Sequence, residues 1–228
     1  MTGIPILFED AEALIIDKPA GLPVDRPRSG GASLGDHLDA LRLGFQRAPA
    51  PVHRLDTDTS GCLLLARNPK ALKRFAAAFE ERRVAKSYIG LVAGEVAEPE
   101  GTIELALSKI SSASDGWRMI AARKGKPAIT HWTRLAAGDG FSVVRFLPVT
   151  GRTHQIRIHA LAGLGFPLLG DPVYGQPDSR ARRTMLHAAG LSLDRGSKPP
   201  VAATAPLPAD FLAFGVEQPE PWPIPTPA

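Results

Sequence analysis

The sequence predicts an α+β fold, because its strand-like segments follow one another as hairpins and do not alternate regularly with helices. Two apolar runs, PILF and ALIID, flank the polar EDAE and predict a first hairpin. Further along, THWTRLAA and FSVVRFLPV flank a Gly-Asp-Gly turn and predict a second. We find no repeat and no strong domain linker. We therefore expect one domain over residues 1–215 and a flexible, proline-rich tail over residues 216–228.

The other elements are predicted from local signals, taken in chain order. Ser33 and Asp36 are typical of a capping box, and leucines at helical spacing follow them, which predicts a first helix. The run CLLLA, bounded by Gly and Asn, predicts a buried strand. Asn68 followed by Pro69 predicts the start of a helix with one apolar face. KSYIGLVAGEV predicts a strand, and GRTHQIRIHALAGLG predicts a helix that ends at its glycines.

Composition narrows the class of protein. No apolar run is long enough to cross a bilayer, and the N-terminal segment lacks the layout of a signal peptide, so we expect a cytoplasmic protein. The single Cys62 excludes an internal disulfide and a site with several thiolate ligands.

Basic residues outnumber acidic ones only slightly, 27 to 23, but they are clustered. Clusters of this kind suit a phosphate-rich ligand, although each one alone is as readily explained as a solvated surface. The clusters are Arg82, Arg83 and Lys86; Arg118, Arg123, Lys124 and Lys126; and Arg180, Arg182 and Arg183.

The stretch HRLDTDTSG has two competing interpretations. Oxygen-bearing side chains and a glycine stand where a calcium loop would have them, at Asp56, Asp58, Ser60 and Gly61. The twelfth position of such a loop should be a bidentate Glu and is Arg67, and a strand follows where a helix is needed. We therefore expect no metal site. The remaining structural alternative is a tight turn whose polar side chains cap its own backbone.

A second polar cluster, GRTHQIRIH, lies about a hundred residues later at a predicted helix start. His154 and Arg157 are three residues apart and should share a helix face, where free N–H groups and the helix dipole favour an anion. His154 and His159 are five apart, a spacing that does not place two imidazoles together for a metal.

These motifs together resemble those of the RluA family of pseudouridine synthases. HRLDTDTSG resembles the family's central H-R-L-D-x-x-T-S-G, and further segments resemble family motifs in the same order: ALIIDKPAGLPV, AKSYIGLV, GKPAIT, GRTHQIRIHALAGLGFPLLGDPVYG and MLHAAGL. The resemblance covers nearly the whole chain. It implies a central mixed, largely antiparallel sheet with flanking helices and a catalytic cleft.

The resemblance also implies a reaction. Uracil is detached from C1′ of its ribose and rejoined through C5, with no cofactor and no metal. Asp56 matches the catalytic aspartate, which acts either as a nucleophile or by stabilising positive charge at C1′. Arg157 matches the arginine that pairs with this aspartate, and Tyr88 matches the tyrosine that stacks on the target base. Asp58 falls at a variable position of the motif.

The resemblance implies structured RNA as the partner, a tRNA or rRNA stem-loop, bound by a monomer without an added N-terminal RNA-binding domain. Arg54 matches the residue that fills the space left by the everted uridine. His53 and Thr59 shape the loop, and Arg152 and His154 are expected to contact the substrate. Asp25 departs from the less acidic residue that relatives often carry there. Two alternatives stay open: an RNA-binding module without activity, and a glycoside hydrolase with a second carboxylate.

Overall fold

The structure is a computed structural model that describes residues 3–112 and 116–217. The chain forms two compact units: Met1–Ser87 with His187–Ala228, and Tyr88–Leu186. No helix in these described stretches has the length and apolar character needed to cross a membrane.

In chain order, the strands are β1 (Ile6–Glu9), β2 (Ala13–Lys18), β3 (Ala50–Pro51), β4 (Ser60–Ala66), β5 (Val84–Val92), β6 (Glu100–Ser112), β7 (Gly116–Ala121), β8 (Lys126–Gly138), β9 (Phe141–Pro148), β10 (Leu186–Arg195) and β11 (Lys198–Thr204). The α-helices are α1 (Pro69–Glu80), α2 (Gln155–Leu164) and α3 (Ala209–Leu212).

The first unit is built on strands in the order β1-β2-β4-β10, with β3 paired to β4 and β11 paired to β10. Every pairing is antiparallel except that of β4 with β10. All residues of β4 are buried, and α1 adds Phe75 to a core that includes Ile15, Leu64 and Val201. The β1–β2 hairpin, the buried β4 and the helix start at Asn68 confirm three sequence predictions.

The second unit has strands in the order β5-β9-β8-β6-β7, all antiparallel. The β8–β9 hairpin confirms the prediction made from its Gly-Asp-Gly turn. Helix α2 is buried over residues 155–160. Its Ile156 packs with Trp132 and Phe146, while Ile158 packs with Met119 of β7. The α+β class, with a mixed and largely antiparallel set of strands, is confirmed.

Two predicted helices differ from what is observed. The segment after Ser33 forms two short 3₁₀ helices, Leu34–His37 and Ala40–Arg42. The Ser33 N–H does donate to Asp36 Oδ2 at 2.8 Å, as in a capping box, but the chain turns left-handed at Leu43, with φ of 49°. A single capping interaction is not enough to form an α-helix when the residues that follow do not continue it.

The second difference concerns the start of α2, which begins at Gln155 and not at Gly151. His154 is the N-cap residue and has a φ of 53°. The prediction that His154 and Arg157 share a helix face was therefore wrong, because His154 lies outside the helix. The elements that were not predicted from sequence are β3, β6, β7, β10, β11 and α3. Of the predicted tail over residues 216–228, residues 218–228 lie outside the described residues.

Candidate active site

The loop that carries Asp56 connects β3 to β4 in the first unit. Asp56 opens a tight turn in which its carbonyl oxygen accepts from the N–H of Thr59 at 3.1 Å. Asp56 itself is half-buried, whereas Leu55 and Thr59 on either side of the turn are buried. Two buried anchors thus limit where the Asp56 backbone can move.

A fully buried lysine binds the backbone of this loop. Lys18 has no exposed surface, and its Nζ donates to three backbone carbonyl oxygens, those of Pro19 (2.9 Å), Leu22 (2.8 Å) and Thr57 (3.0 Å). A buried ammonium is tolerated when its hydrogen bonds are satisfied in this way. Lys18 therefore ties the loop after β2 to the carbonyl oxygen of Thr57, the residue that directly follows Asp56.

The other end of the loop is fixed against β10. Gly61 has a φ of +105°, and a Cβ there would lie 2.2 Å from the carbonyl oxygen of Ala188. Only glycine permits this approach. The neighbouring Ser60 Oγ lies 2.9 Å from Nδ1 of the buried His187. The Ser-Gly part of the motif thus locks the loop to a strand that is distant in sequence.

His53 anchors the beginning of the loop. Its Nε2 accepts from the N–H of Leu64 at 3.1 Å, and its ring stacks on Phe79 with centroids 4.5 Å apart. Burial, reinforced by the charge of Lys86, lowers the pKa of His53 to about 3. The imidazole is therefore neutral and carries its proton on Nδ1, since Nε2 is an acceptor.

This geometry predicts a pH effect on stability that belongs to His53. Between its unfolded pKa of 6.5 and its folded pKa of about 3, only the unfolded chain takes up the proton. Stability is therefore lost as pH falls below 6.5. Replacing His53 by Gln keeps an acceptor for Leu64 but removes the titration.

The measurement is urea unfolding of both proteins at about pH 8, 6 and 4.5. We expect the wild type to lose more stability than His53→Gln as pH falls. His159, whose pKa is lowered to about 4 by burial, is present in both proteins and cancels. Parallel pH profiles would contradict this reading of His53.

Arg54 extends from the same loop into solvent. Its Nη1 lies 3.0 Å from Oδ2 of Asp25, and the two side chains are 70% and 69% exposed. Asp25 is thus the acidic partner of the residue predicted to fill the space of an everted base.

In the second unit, the predicted residue Arg157 forms a buried ion pair with Asp171. Arg157 donates from Nε to Asp171 Oδ2 and from Nη2 to Oδ1, both at 2.6 Å, and the two side chains are 7% and 0% exposed. Oδ1 also accepts from the N–H groups of Val173 and Tyr174 at 2.9 and 3.1 Å. This two-point contact fixes the plane of the Arg157 guanidinium.

Tyr174 links the arginine to the predicted substrate-binding histidine. Its ring lies 4.9 Å from Cζ of Arg157, and its hydroxyl accepts from the N–H of Met119 at 3.0 Å. The same hydroxyl lies 2.9 Å from Nδ1 of His154. Arg157 and His154 are therefore brought together through one tyrosine, despite not sharing a helix face.

Gln155 shapes the turn that precedes α2. Its buried amide makes four hydrogen bonds: Oε1 accepts from the Thr150 hydroxyl (2.8 Å) and the Arg152 N–H (2.9 Å), while Nε2 donates to Ile129 O (3.0 Å) and Thr130 Oγ1 (2.9 Å). A fully satisfied buried amide holds a loop in one conformation. Arg152 is held further by its Nε, which donates to the carbonyl oxygen of Pro127 at 3.3 Å.

Tyr88, the remaining predicted catalytic residue, is half-buried on β5, opposite Phe146 of β9. The predicted residues are thus divided between the two units. The first unit carries His53, Arg54, Asp56 and Thr59, and the second carries Tyr88, Arg152, His154 and Arg157. Among residues 3–112 and 116–217, no group of three or more His, Cys, Asp or Glu side chains is arranged to hold a metal.

Five supporting residues were not assigned a role from sequence. Three of them stand inside motifs already quoted above, where the shared motif was the available signal: Lys18 in DKPAGLPV, and Asp171 and Tyr174 in GDPVYG. Gln155 and His187 likewise stand in GRTHQIRIH and MLHAAGL. Several of their partners could not be read from spacing, because contacts such as those of Lys18 with Thr57 and of His187 with Ser60 join distant parts of the chain.

The amino-acid sequence is similar to those of known RNA pseudouridine synthases, in agreement with the motifs described above. The sequence model described as RNA pseudouridylate synthase matches residues 12–162. An uncharacterized RNA pseudouridine synthase of Zymomonas mobilis is 54% identical over 211 residues, covering 92% of this chain and 96% of the relative. The dual-specificity RNA pseudouridine synthase RluA of Escherichia coli is 34% identical over 212 residues, covering 90% and 93%.

A solved structure shows the same likeness in three dimensions. The structure of human RNA pseudouridylate synthase domain containing 1 superposes with a TM-score of 0.74 at 31% identity, covering 90% of this chain and 84% of that one.

Proposed function

We propose that Asp56 is the residue at the centre of the reaction of this chain, which belongs to the RNA pseudouridylate synthase family. The chain is an RNA pseudouridine synthase, an isomerase that converts uridine in RNA to pseudouridine. The assignment of Asp56 rests on the structure of its loop. The complete motif forms this loop, and Lys18, Ser60 and Gly61 hold it in place.

The chemistry needs an ionised carboxylate at this position. Whether Asp56 bonds covalently to the substrate or stabilises positive charge at C1′, only the charged form can do so. The reaction requires no cofactor, because the uracil that leaves C1′ is the same group that bonds to C1′ again through C5. A rigid loop supports the role, since a carboxylate must be aimed at the reacting carbon to be effective.

Arg157 is proposed to keep Asp56 ionised. A carboxylate enclosed with an uncharged base tends to take up a proton, and a fixed guanidinium opposes this by favouring the charged form. The support is that Arg157 is itself held in one orientation by Asp171. Tyr88 is proposed to stack on the target base and to act in a late proton transfer.

Access to the target uridine is proposed to depend on base eversion. Arg54 would fill the vacated space, because a planar cation can stack on bases and meet phosphates at once. Its exposure supports this role. His53 and Thr59 would hold the loop, while Arg152 and His154 would contact the RNA near α2.

The finer identity of the substrate is also a proposal. We propose a uridine in a tRNA or rRNA stem-loop, and the name of the Escherichia coli relative, a dual-specificity enzyme, supports RNA of more than one kind. We further propose that residues 1–215 serve as one catalytic domain acting as a monomer. The family match supports one domain, because it runs across the division between Ser87 and Tyr88. The cytoplasmic location stays a prediction.

Asp25 should weaken RNA binding by sharing the charge of Arg54. We expect Asp25→Asn to lower the Kd for RNA by about two-fold to five-fold at low salt, because Arg54 is then available to the phosphates. Stability should change by less than about 1 kcal/mol, since the ion pair is exposed. A filter-binding titration measures the Kd, and an unchanged or higher Kd would contradict this role of Asp25.

The proposed function is tested by tritium release. RNA labelled at uracil C5 is prepared from cells that lack this protein and is then treated with the purified protein. Release of tritium is expected, because C5 loses its hydrogen when it bonds to the ribose. RNA binding that falls with salt but gives no release would instead support a binding module without activity.

A further inference from the structure

A tryptophan stands exposed beside the predicted substrate-binding residues of the second unit. Trp117 of β7 is 48% exposed, whereas tryptophan side chains are on average highly buried. The pairing of β6 with β7 places Lys109 opposite Met119 and Ser111 opposite Trp117. Met119 and Trp117 therefore share one face of this hairpin. Met119 is buried against Ile158 of α2, so the hairpin is anchored next to the helix.

Trp117 contacts the site directly. Its ring lies 5.1 Å from the ring of His154, inclined at 32°, and His154 lies 2.9 Å from the Tyr174 hydroxyl through Nδ1. Tyr174 in turn covers Arg157. The exposed indole is thus the outermost member of a row of side chains that leads to the buried guanidinium.

The surroundings of Trp117 are positively charged. Lys109 Nζ lies 4.9 Å from the indole centroid. Between residues 105 and 126, the sequence has five basic residues and one acidic residue, Asp115. The basic ones are Lys109, Arg118, Arg123, Lys124 and Lys126, and all five are exposed. Lys109 lies on the same face of the hairpin as Trp117, whereas Arg118 lies on the opposite face. An exposed aromatic ring among cations is the combination that binds single-stranded nucleic acid. The nucleobases stack on the ring, and the phosphates bind the Lys and Arg side chains.

We propose that Trp117 is an RNA-binding residue of this enzyme, stacking on a substrate base next to the everted uridine, with Lys109 beside the ring and the exposed Arg123 and Lys124 of the following turn holding the phosphates. This inference rests on the proposed function. The positive charge selects RNA over a second copy of the chain as the occupant of this face, because a second copy would bring the same charges together. Trp117 would thereby help to choose the nucleotides around the target.

The first test is kinetic and uses three variants of the whole chain. Trp117→Ala removes the ring, Trp117→Phe keeps an aromatic face, and Leu135→Ala removes a comparably exposed apolar side chain, 41% exposed, from β8. Tritium release from the C5-labelled RNA yields KM and kcat for each. We expect Trp117→Ala to raise KM by about 5-fold or more, Trp117→Phe to raise it by about 2-fold, and Leu135→Ala to leave it unchanged.

The second test uses the fluorescence of Trp117 itself and does not depend on turnover. In a Trp222→Phe background the remaining tryptophans are Trp117 and the buried Trp132. Titration with unfractionated tRNA, and separately with a uridine-rich oligoribonucleotide, should quench the emission through base stacking. Adding Trp117→Phe should remove the quenching. This comparison remains decisive if Trp117→Ala fails to fold.

The outcomes separate the two proposals. Turnover by the wild type with an unchanged KM in Trp117→Ala overturns the role of Trp117 and leaves the proposed function standing. Quenching that persists in Trp117→Phe also overturns it. So does a change of oligomeric state in Trp117→Ala with RNA binding unchanged, which would make the face a contact between copies. Absence of turnover in the wild type counts against the proposed function, whereas loss of quenching on Trp117→Phe still supports RNA stacking.

Discussion

Replacement of Asp56 by Asn is expected to lower turnover by at least about 10³-fold while leaving the fold and RNA binding intact. Asn has nearly the same shape as Asp but has no charge, so it can neither attack the substrate nor stabilise positive charge at C1′. The turn itself should survive, because it depends on the Asp56 carbonyl oxygen and on Lys18, which binds Thr57. Tritium release under single-turnover conditions measures the effect.

The matched control for this prediction is Asp58→Asn, two residues away in the same turn. Asp58 is half-buried like Asp56 and carries the same charge, but it falls at a variable position of the motif. We expect it to keep turnover within about an order of magnitude of the wild type. Comparable losses in the two variants would mean that the turn needs negative charge in general, and Asp56 would lose its special role.

Asp171→Asn should cause the largest loss of stability, about 3 kcal/mol or more. Asp171 has no exposed side-chain surface and accepts four hydrogen bonds, two from Arg157 and two from backbone N–H groups. Removing its charge replaces the carboxylate that binds the buried Arg157 guanidinium at two points by a neutral amide, and loss of this buried counter-charge is costly. Urea unfolding compares the midpoints.

Two further variants interpret this loss. Glu81→Gln breaks the exposed ion pair with Arg83 and should cost less than about 1 kcal/mol. The double variant Arg157→Met with Asp171→Leu should be more stable than Asp171→Asn, because no uncompensated charge remains, yet it should be inactive. A stability of Asp171→Asn equal to that of the wild type would contradict the importance of this pair.

The elements predicted correctly from sequence are those whose signals are local. The β1–β2 hairpin follows from alternating apolar and polar runs, α1 from Asn68 before Pro69, and β4 from a short apolar run between turn residues. In each case a few neighbouring residues determine the backbone, so reading the chain in short windows is sufficient. Strand β6 was missed although apolar residues stand at every second position from Ile103 to Leu107, whereas β7 is short and mostly exposed and gives no such signal.

The parts of the site that escaped prediction depend on contacts between distant residues. Lys18 is fixed by a carbonyl oxygen 39 residues away, and Asp171 binds Arg157, which precedes it by 14 residues. Considered alone, Arg157 would be interpreted as a surface arginine on a helix, but burial of its side chain requires a partner that no periodicity reveals. The catalytic and substrate-binding roles proposed for these residues come only from the family resemblance, since a motif records long-range contacts that spacing does not.

The most direct test of the central claim is to map pseudouridines in RNA from cells that lack this protein, after treatment with the wild type or with Asp56→Asn at equal RNA occupancy. The claim requires new pseudouridines at defined positions with the wild type and none with Asp56→Asn. Pseudouridine formed by Asp56→Asn, or none formed by the wild type, would contradict it.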